Sequence, residues 1–358
     1  MDYRSYYYHG AKHITKPRKT NGNIKGLELE TTDFDCGYLL DELVQEDIIT
    51  VPETESSDKT GLVIACEDDS SVYKELIFKA SCNSTLLKGV KQLHNKLHYN
   101  VCNEHGTSCH IHINNAYLDR IGIDTSDIIK SSEFIAPILY EISGRDYNSY
   151  KNWAKSIFEN DISITNKDLL KRAELIEERG NDIDNYSARY SIINQRPEKT
   201  TELRIFSNYY NFDYNYIKMY LETTDFLIQL GEFMKNKNYV DEYNNVIELT
   251  KKFFGKRKYK KIFEKHELED FFLSYEERKI KTLNKAIEYF KEKIEEYKER
   301  EFYIETDRLM SFIRLLRNFE ARFSSLPEIS FSLGNFNDSE IEENIIRLIE
   351  NEINELKE

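Results

Sequence analysis

Apolar and polar residues alternate along several short stretches in the first part of the chain. In NIKGLELETTDF, Leu27 and Leu29 alternate with Glu28 and Glu30, and LVIACEDDSSVYKELIFKA carries short apolar runs between polar turns. Alternation of this kind is typical of β-strands, because successive side chains point to opposite faces. The pattern therefore predicts mainly antiparallel β structure from residue 24 to about residue 115.

The apolar spacing lengthens to three and four residues further along the chain. SSEFIAPILYEIS and NKDLLKRAELIEER follow this spacing behind a Ser or Asn cap, and charged and apolar faces alternate at the same period in TLNKAIEYFKEKIEEYKER. Such spacing predicts amphipathic helices. Between these regions TELRIF returns to strand-like alternation after a turn at Pro197.

These patterns predict an α+β fold in three parts. Residues 1–23 form a basic, Tyr-rich N-terminal arm, and residues 24–212 form an α+β domain with a helical insertion at about residues 118–180. A mostly α-helical C-terminal region follows at residues 213–358. With 358 residues and 40% hydrophobic content, the chain is long enough for a substantial core.

The composition of the sequence indicates the cellular compartment in which the protein is expected. The sequence has no run of 18 or more apolar residues, and its first twenty residues lack the apolar centre of a secretory signal. Five cysteines occur without a CxxC pair, which suits a reducing compartment better than a disulfide framework. We therefore expect a cytoplasmic protein that does not contact the membrane.

The formal net charge of -14 argues against general nucleic-acid binding, because phosphates would be repelled from most of the surface. Two basic segments are exceptions: the N-terminal arm, and TKKFFGKRKYKKIFEKH at residues 250–266. Charge runs of this kind are usually solvated faces, and the alternative is that either segment contacts a partner.

Three of the alternating stretches carry charged or ligand-type side chains at positions i and i+2, with aliphatic residues on the other face. These pairs are Glu28 and Glu30, His110 and His112, and Glu202 and Arg204. An ordinary solvent-exposed sheet face would explain any one pair. A solvent-exposed face, however, usually carries Lys, Thr, Ser and Gln. The Glu, His and Arg residues at these positions therefore favour a functional site.

A fourth stretch adds Asp68 and, seven residues later, Glu75. Carboxylates at several positions together with a neutral imidazole make an oxygen-rich ligand set, which suits Mg²⁺ or Mn²⁺ better than zinc. Hard cations of this kind usually bridge to phosphates, and a nearby arginine then neutralises the charge on the transferred phosphoryl group. Arg204 is the residue predicted for that role.

The order of these motifs resembles the amidoligase family, whose members are similar to glutamine synthetase and glutamate-cysteine ligase. The matching residues are, in order, Gly26, Glu28 and Glu30; Asp68, Ser70 and Glu75; His110 and His112; and Glu202 and Arg204. The resemblance covers about residues 24–210. Asp69 and Ser108 depart from the pattern, because glycine is common at both places.

The resemblance implies an ATP-dependent carboxylate-amine ligase on a glutamine-synthetase-like antiparallel sheet, with Mg²⁺ (or Mn²⁺) bridging the ATP phosphates. An acyl phosphate would form and be displaced by an amine, and a partner amidotransferase could supply ammonia. The implied metal ligands are Glu28, Glu30, Asp68, Glu75, His110, His112 and Glu202. The implied ATP-binding residues are Glu30, Asp68, Ser70, Glu75 and Arg204, and the catalytic candidates are Arg204, Glu28, Arg145 and Arg189.

Several alternatives stay open at this stage. Arg145 and Arg189 could meet the substrate carboxylate or a phosphate, or each could form a salt bridge. A guanidino kinase would use a related sheet to phosphorylate nitrogen, and a non-catalytic nucleotide- or protein-binding module would act through the helical C-terminal half, which could also form an oligomer interface. CNEHGTSCHIHI could hold zinc, although its spacing matches no closed Cys/His pattern. Cys109 beside His110 could form a nucleophile and base, although neighbouring strand residues face opposite ways.

Overall fold

The structure of the chain, a computed structural model, contains two compact units, Met1–Phe271 and Phe272–Glu358. It describes residues 23–32, 42–48, 64–67, 74–96, 107–179, 189–197, 199–208, 210, 212–274 and isolated positions between 277 and 288. The sheet belongs to the first unit. The predicted basic arm, apart from Asn23, and most of the predicted helical pattern beyond residue 274 lie outside the described residues.

Within its described residues, the first unit contains a six-stranded antiparallel sheet. Its strands are β1 (Lys25–Thr31), β2 (Ile64–Glu67), β3 (Lys74–Ser81), β4 (Cys109–Asn114), β5 (Ile193–Asn194) and β6 (Thr200–Leu203). Their order across the sheet is β2-β3-β1-β4-β6-β5. The fold is therefore mixed α and β with an antiparallel sheet, and β1 lies at its centre between β3 and β4.

One face of the sheet is apolar and fully covered. Leu27, Leu29, Phe78, Ile111 and Leu203 all have no exposed surface. They alternate with the charged positions of the same strands, because the side-chain period of a strand is two. Burying these side chains contributes the main stabilisation of the sheet, about 1.5–3 kcal/mol for each.

Helices account for most of the remaining described residues. They are α1 (Asn83–Lys96), α2 (Asn115–Ile121), α3 (Thr125–Phe134), α4 (Ala136–Ser143), α5 (Tyr147–Trp153), α6 (Leu169–Arg179), α7 (Tyr214–Met234), α8 (Tyr243–Phe254) and α9 (Lys260–Lys265), with 3-10 turns at Arg257–Tyr259 and Leu268–Phe272. Among the described helices, none combines the length and apolar character that a membrane crossing requires.

Helix α1 interrupts the region in which β structure was expected. Its buried residues Leu86, Leu87, Val90 and Leu93 follow helical spacing, and the helix packs against α7 and β3. The expectation of mainly β structure up to residue 115 overlooked this helix, because the strands on either side carry the stronger alternation.

Helices α2 to α6 lie between β4 and β5, where the sequence predicts a helical insertion. The single helical pattern SSEFIAPILYEIS divides into α3 and α4, because Pro137 stands in the first turn of α4. The predicted Ser and Asn caps are wrong. Asp124 caps α3, and the carboxylate of Asp168 accepts hydrogen bonds from the first turn of α6.

A buried ion pair ties the start of β1 to α7. Lys25 Nζ lies 2.6 Å from Asp225 Oδ1, and Lys25 is only 1% exposed. Asn83, at the start of α1, donates to the other oxygen of Asp225 at 2.7 Å. Helix α7 also packs against α3 and α1, and helices α7 to α9 belong to the same unit as the sheet.

Candidate active site

The face of the sheet opposite the apolar one carries the predicted charged pairs. Strand register places Glu28 opposite His110, Glu30 opposite Glu75, and His112 opposite Glu202. Gly26 lies opposite His112 and adds no side chain beside it. Four strands therefore contribute to one cluster, which we call the carboxylate–histidine cluster: Glu28, Glu30, Glu75, His110, His112 and Glu202.

His110 lies at the centre of this cluster. Its Nδ1 is 3.4 Å from Glu28 Oε2, 3.4 Å from Glu202 Oε1 and 4.0 Å from Glu75 Oε1. Its Nε2 is 3.7 Å from Glu30 Oε1. A single imidazole therefore has all four carboxylates within ion-pair distance.

The cluster divides into two groups of ligand atoms. One contains Glu28, His110 and Glu202, and the other contains Glu30, Glu75 and His110; within each group the atoms lie within 4.8 Å of one another. All five residues are buried, with at most 7% of their surface exposed. Carboxylate oxygens with one imidazole suit a hard divalent cation such as Mg²⁺ or Mn²⁺.

The charges of the cluster also favour a cation. Arg204 donates from its guanidinium NH1 to Glu202 Oε1 at 2.5 Å, and Arg145 lies close enough to Glu30 to interact electrostatically. Two guanidinium groups thus oppose four buried carboxylates. Buried charge is costly unless it is paired, so the residues fit an added positive ion.

The pKa shifts indicate which groups are ionised. Burial raises the pKa of Glu28, but His112 and His110 outweigh it and hold that pKa well below its ordinary value. Burial also raises the pKa of Glu202, but His110, His112 and Arg204 lower it by more, so the pKa is below its ordinary value. Burial lowers the pKa of His112, but Glu28 and Glu202 more than offset this and raise it. Both carboxylates are therefore anionic, and an entering cation would compete with the His112 proton.

Neighbouring polar groups orient the cluster. Ser108 donates its backbone N–H to Glu30 Oε2 at 2.7 Å, and Asn194 donates its amide N–H to Glu202 Oε2 at 2.6 Å. His112 Nδ1 lies 3.1 Å from the Thr200 hydroxyl.

Two ring nitrogens in the cluster are less well satisfied. The Nε2 atoms of His110 and His112 have no aligned hydrogen-bond partner among the described residues, although His112 Nε2 is 3.2 Å from Glu28 Oε1. A short distance alone does not make a hydrogen bond, because the donor must also point at the acceptor. Buried ring nitrogens without a hydrogen-bond partner are expected in a site that binds a ligand.

Arg145 lies beside the cluster and supports it. Its guanidinium donates to Ser108 Oγ at 2.7 Å, to Ser149 Oγ at 2.8 Å and to the backbone carbonyls of residues 204–206. These bonds link residues 204–206, which follow β6, to Ser108, whose N–H donates to Glu30. The predicted contact of Arg145 with a substrate stays a prediction.

Arg189 lies at the exposed edge of the site. Its guanidinium carbon is 5.6 Å from the centre of the Tyr190 ring, and that of Arg204 is 6.0 Å from the same ring. Trp153 meets Tyr190 edge-on at 5.3 Å. Sequence reasoning missed both aromatic residues, although Tyr190 directly follows the candidate residue Arg189.

Asp68 and Ser70 lie outside the described residues, directly after β2. Their predicted roles as a metal ligand and an ATP-binding residue stay predictions. Glu75, the other residue of that motif, is part of the carboxylate–histidine cluster and only 3% exposed.

The cysteine-based alternatives are weakened. Cys109 lies on the apolar face, opposite Leu29 in the strand register, and His110 lies on the charged face. Burial raises the pKa of the Cys109 thiol well above its ordinary value, which disfavours a thiolate. Cys102 and His105 lie outside the described residues.

The basic segment at residues 250–266 has a solvated face over an apolar underside. Phe253 and Tyr259 are buried, and several of its lysines pair with glutamates. These pairs are Lys251 with Glu269, Lys258 with Glu222, and Lys260 with Glu264. Binding of a partner by this segment stays a prediction.

In comparisons with known proteins, no family model and no curated sequence matches the chain.

Proposed function

We propose that the chain is an ATP-dependent ligase that joins a carboxylate to an amine through an acyl phosphate. The observation that carries this proposal is the convergence of four buried carboxylates and two imidazoles beside Arg204, on one face of an antiparallel sheet. The resemblance of the motif order to amidoligases, with their glutamine-synthetase-like sheet, supports the same proposal.

The carboxylate–histidine cluster would hold Mg²⁺ or Mn²⁺, with Asp68 and Ser70 as further predicted contacts. Bound there, the cation would neutralise the phosphates of ATP and favour transfer of the terminal phosphoryl group. Asn194 and the Ser108 N–H would keep Glu202 and Glu30 oriented toward it, since groups that hold the ligands set their geometry.

The proposed reaction has two steps. A substrate carboxylate oxygen attacks the terminal phosphorus of ATP, and the bond to ADP breaks. The amine nitrogen then attacks the acyl carbon and loses a proton, and inorganic phosphate leaves. Arg204 would donate hydrogen bonds to the oxygens that gain negative charge, and the low exposure of the cluster would limit hydrolysis of the acyl phosphate by water.

Ligand-induced stabilisation is the first test. We expect the thermal midpoint of the protein to rise when Mg²⁺ and a non-hydrolysable ATP analogue are added together, because a ligand at about a hundred times its Kd adds about 2.7 kcal/mol. Glu28→Gln should lose the rise. Glu174→Gln, at an exposed carboxylate in helix α6, is the matched control and should keep it.

Trapping with hydroxylamine tests the chemistry without knowledge of the natural amine. Hydroxylamine converts an acyl phosphate to a hydroxamate, so a panel of carboxylic acids with ATP and Mg²⁺ should yield hydroxamate and ADP in equal amounts. If the protein binds Mg²⁺ and ATP but forms a stable phosphorylated nitrogen compound, the kinase alternative is correct. Absence of any nucleotide effect in well-folded protein would contradict both.

A further inference from the structure

An exposed aromatic residue extends the charged face of the sheet at its edge. In β5, Asn194 points to Glu202 and donates to it, and the backbone N–H of Arg204 donates to the carbonyl of Ile192. Tyr190 stands two residues before Ile192, and its ring lies 6.0 Å from the Arg204 guanidinium. Tyr190 therefore lies beside Arg204, at the outer edge of the charged face.

Tyr190 is held in position but not covered. Its backbone carbonyl accepts a hydrogen bond from the Lys155 N–H at 2.8 Å, and Trp153 packs edge-on against its ring. Even so, the residue is 41% exposed, as much as any large apolar or aromatic residue of the described chain apart from Tyr147. A fixed, exposed ring offers surface to a planar ligand.

The ring is also linked directly to the predicted phosphate-binding arginine. Arg204 donates from Nε to the Trp153 carbonyl at 3.5 Å and from NH1 to Glu202. Arg204 thus stands between the buried carboxylates on one side and the two aromatic rings on the other. A ligand whose phosphates reach Arg204 would bring its remaining, non-phosphate part toward Tyr190 and Trp153.

We propose that the purine base of the nucleotide stacks on the exposed ring of Tyr190, which Trp153 holds edge-on. This inference rests on the proposed function, since it takes ATP as the ligand of the cluster. Bases stack readily on aromatic side chains, and guanidinium groups such as those of Arg189 and Arg204 strengthen such a surface.

A purely supporting role for Tyr190 is the competing explanation. The ring could serve only to hold the Arg204 guanidinium by a cation–π contact. The two explanations differ in their ligand dependence. Support of Arg204 would affect every phosphate ligand equally, whereas stacking would affect only a ligand that carries a base.

Binding of ATP and of inorganic tripolyphosphate to the whole chain separates these explanations. Both ligands carry three linked phosphates, and only ATP carries a base. Titration calorimetry with Mg²⁺ gives both Kd values. Trp153 is the single tryptophan of the chain, so its fluorescence, excited at the red edge of its absorption, reports directly on this surface. We expect ATP to quench it more strongly than tripolyphosphate.

We expect Tyr190→Ala to raise the Kd for ATP roughly tenfold, the change typical of one lost base–aromatic stack, with the Kd for tripolyphosphate within about twofold of wild type. Tyr190→Phe should retain ATP binding. Tyr147→Ala is the matched control, because Tyr147 is equally exposed and its hydroxyl bonds to Glu159 on the surface. Thermal midpoints verify that each variant is folded.

An equal loss of ATP and tripolyphosphate binding in Tyr190→Ala would overturn the inference and assign Tyr190 to support of Arg204. Unchanged binding of both ligands would overturn it as well. In either case wild-type binding of the two ligands would leave the proposed function standing. If wild type binds neither ligand, the proposed function fails, and the stacking surface fails with it.

Discussion

The two faces of the central sheet are buried to nearly the same extent but differ in chemistry. Leu29 is fully buried and Glu28, the preceding residue, is only 7% exposed. On the apolar face burial stabilises the fold, whereas on the charged face it costs free energy that only pairing or a ligand can offset. A buried charged face in the same strands as an apolar core is therefore better explained by binding than by stability.

The largest expected effect is on the apolar face. Ile111→Ala should lower the free energy of unfolding by about 2–5 kcal/mol, because it removes buried methyl groups and leaves a cavity. Urea unfolding measures this loss. Leu170→Ala, at an exposed leucine on helix α6, should change it by less than about 0.5 kcal/mol. A similar loss in both variants would contradict the assignment of the core.

On the charged face, Arg204→Met should slow hydroxamate formation roughly a hundredfold, the size typical of losing one donor to developing negative charge. Because the variant also removes the partner of the buried Glu202 carboxylate, its free energy of unfolding should fall as well, so urea unfolding measured in parallel verifies that the assayed protein is folded. The rate under saturating ATP measures the effect, and Arg179→Met is the control at an exposed arginine paired with Asp161. A normal rate with Arg204→Met would remove this residue from the mechanism.

A smaller effect, on metal affinity, is expected at Asn194 in the edge strand β5, which orients Glu202. Asn194→Ala removes the amide that donates to Glu202, so the affinity for Mn²⁺ should fall about tenfold, as is typical for groups that hold metal ligands. Calorimetric titration with Mn²⁺ measures it. If affinity falls in Asn166→Ala as well, the effect is not specific, because Asn166 only caps a surface turn.

The smallest effect concerns two thiols and leaves the fold intact. Hydrogen bonds from Ser84 and Thr85 lower the pKa of the exposed Cys82 to about 7, whereas burial raises that of Cys109 on the apolar face. The thiolate is the reactive form, so the alkylation rate of Cys82 should rise with a midpoint at about pH 7 and level off about one pH unit above it. Peptide mapping after brief iodoacetamide treatment should find Cys109 unmodified at every pH. Modification of Cys109 in folded protein would mean that the apolar face becomes accessible to solvent.

Alternation in the sequence was sufficient to predict which residues share a face, but not which residues meet. That Glu28, Glu30, His110, His112 and Glu202 lie on one face follows from a period of two. Their distances depend on strand order and register, which long-range packing sets. The central position of His110 could not be read from the sequence for this reason.

Other features escaped prediction for local reasons. Strand β5 is only two residues long and Tyr190 lies outside it, so no alternating pattern marks Tyr190. The partners of Arg145 are mostly backbone carbonyls near the end of β6, and carbonyls carry no sequence signal. Helix α1 was predictable from the helical spacing of its buried leucines. The stronger alternation of the strands on either side masked this spacing.

The order of strands across the sheet has a consequence for biosynthesis. Of the described strands, β1 leaves the ribosome first, and its neighbours β3 and β4 and the more distant β6 follow later in the sequence. Contacts between residues far apart in sequence form slowly, because loops must close before pairing repays them. The nascent chain therefore carries an unfinished set of carboxylates until β6 emerges. The ligand binding proposed for this cluster would therefore report that the sheet is complete.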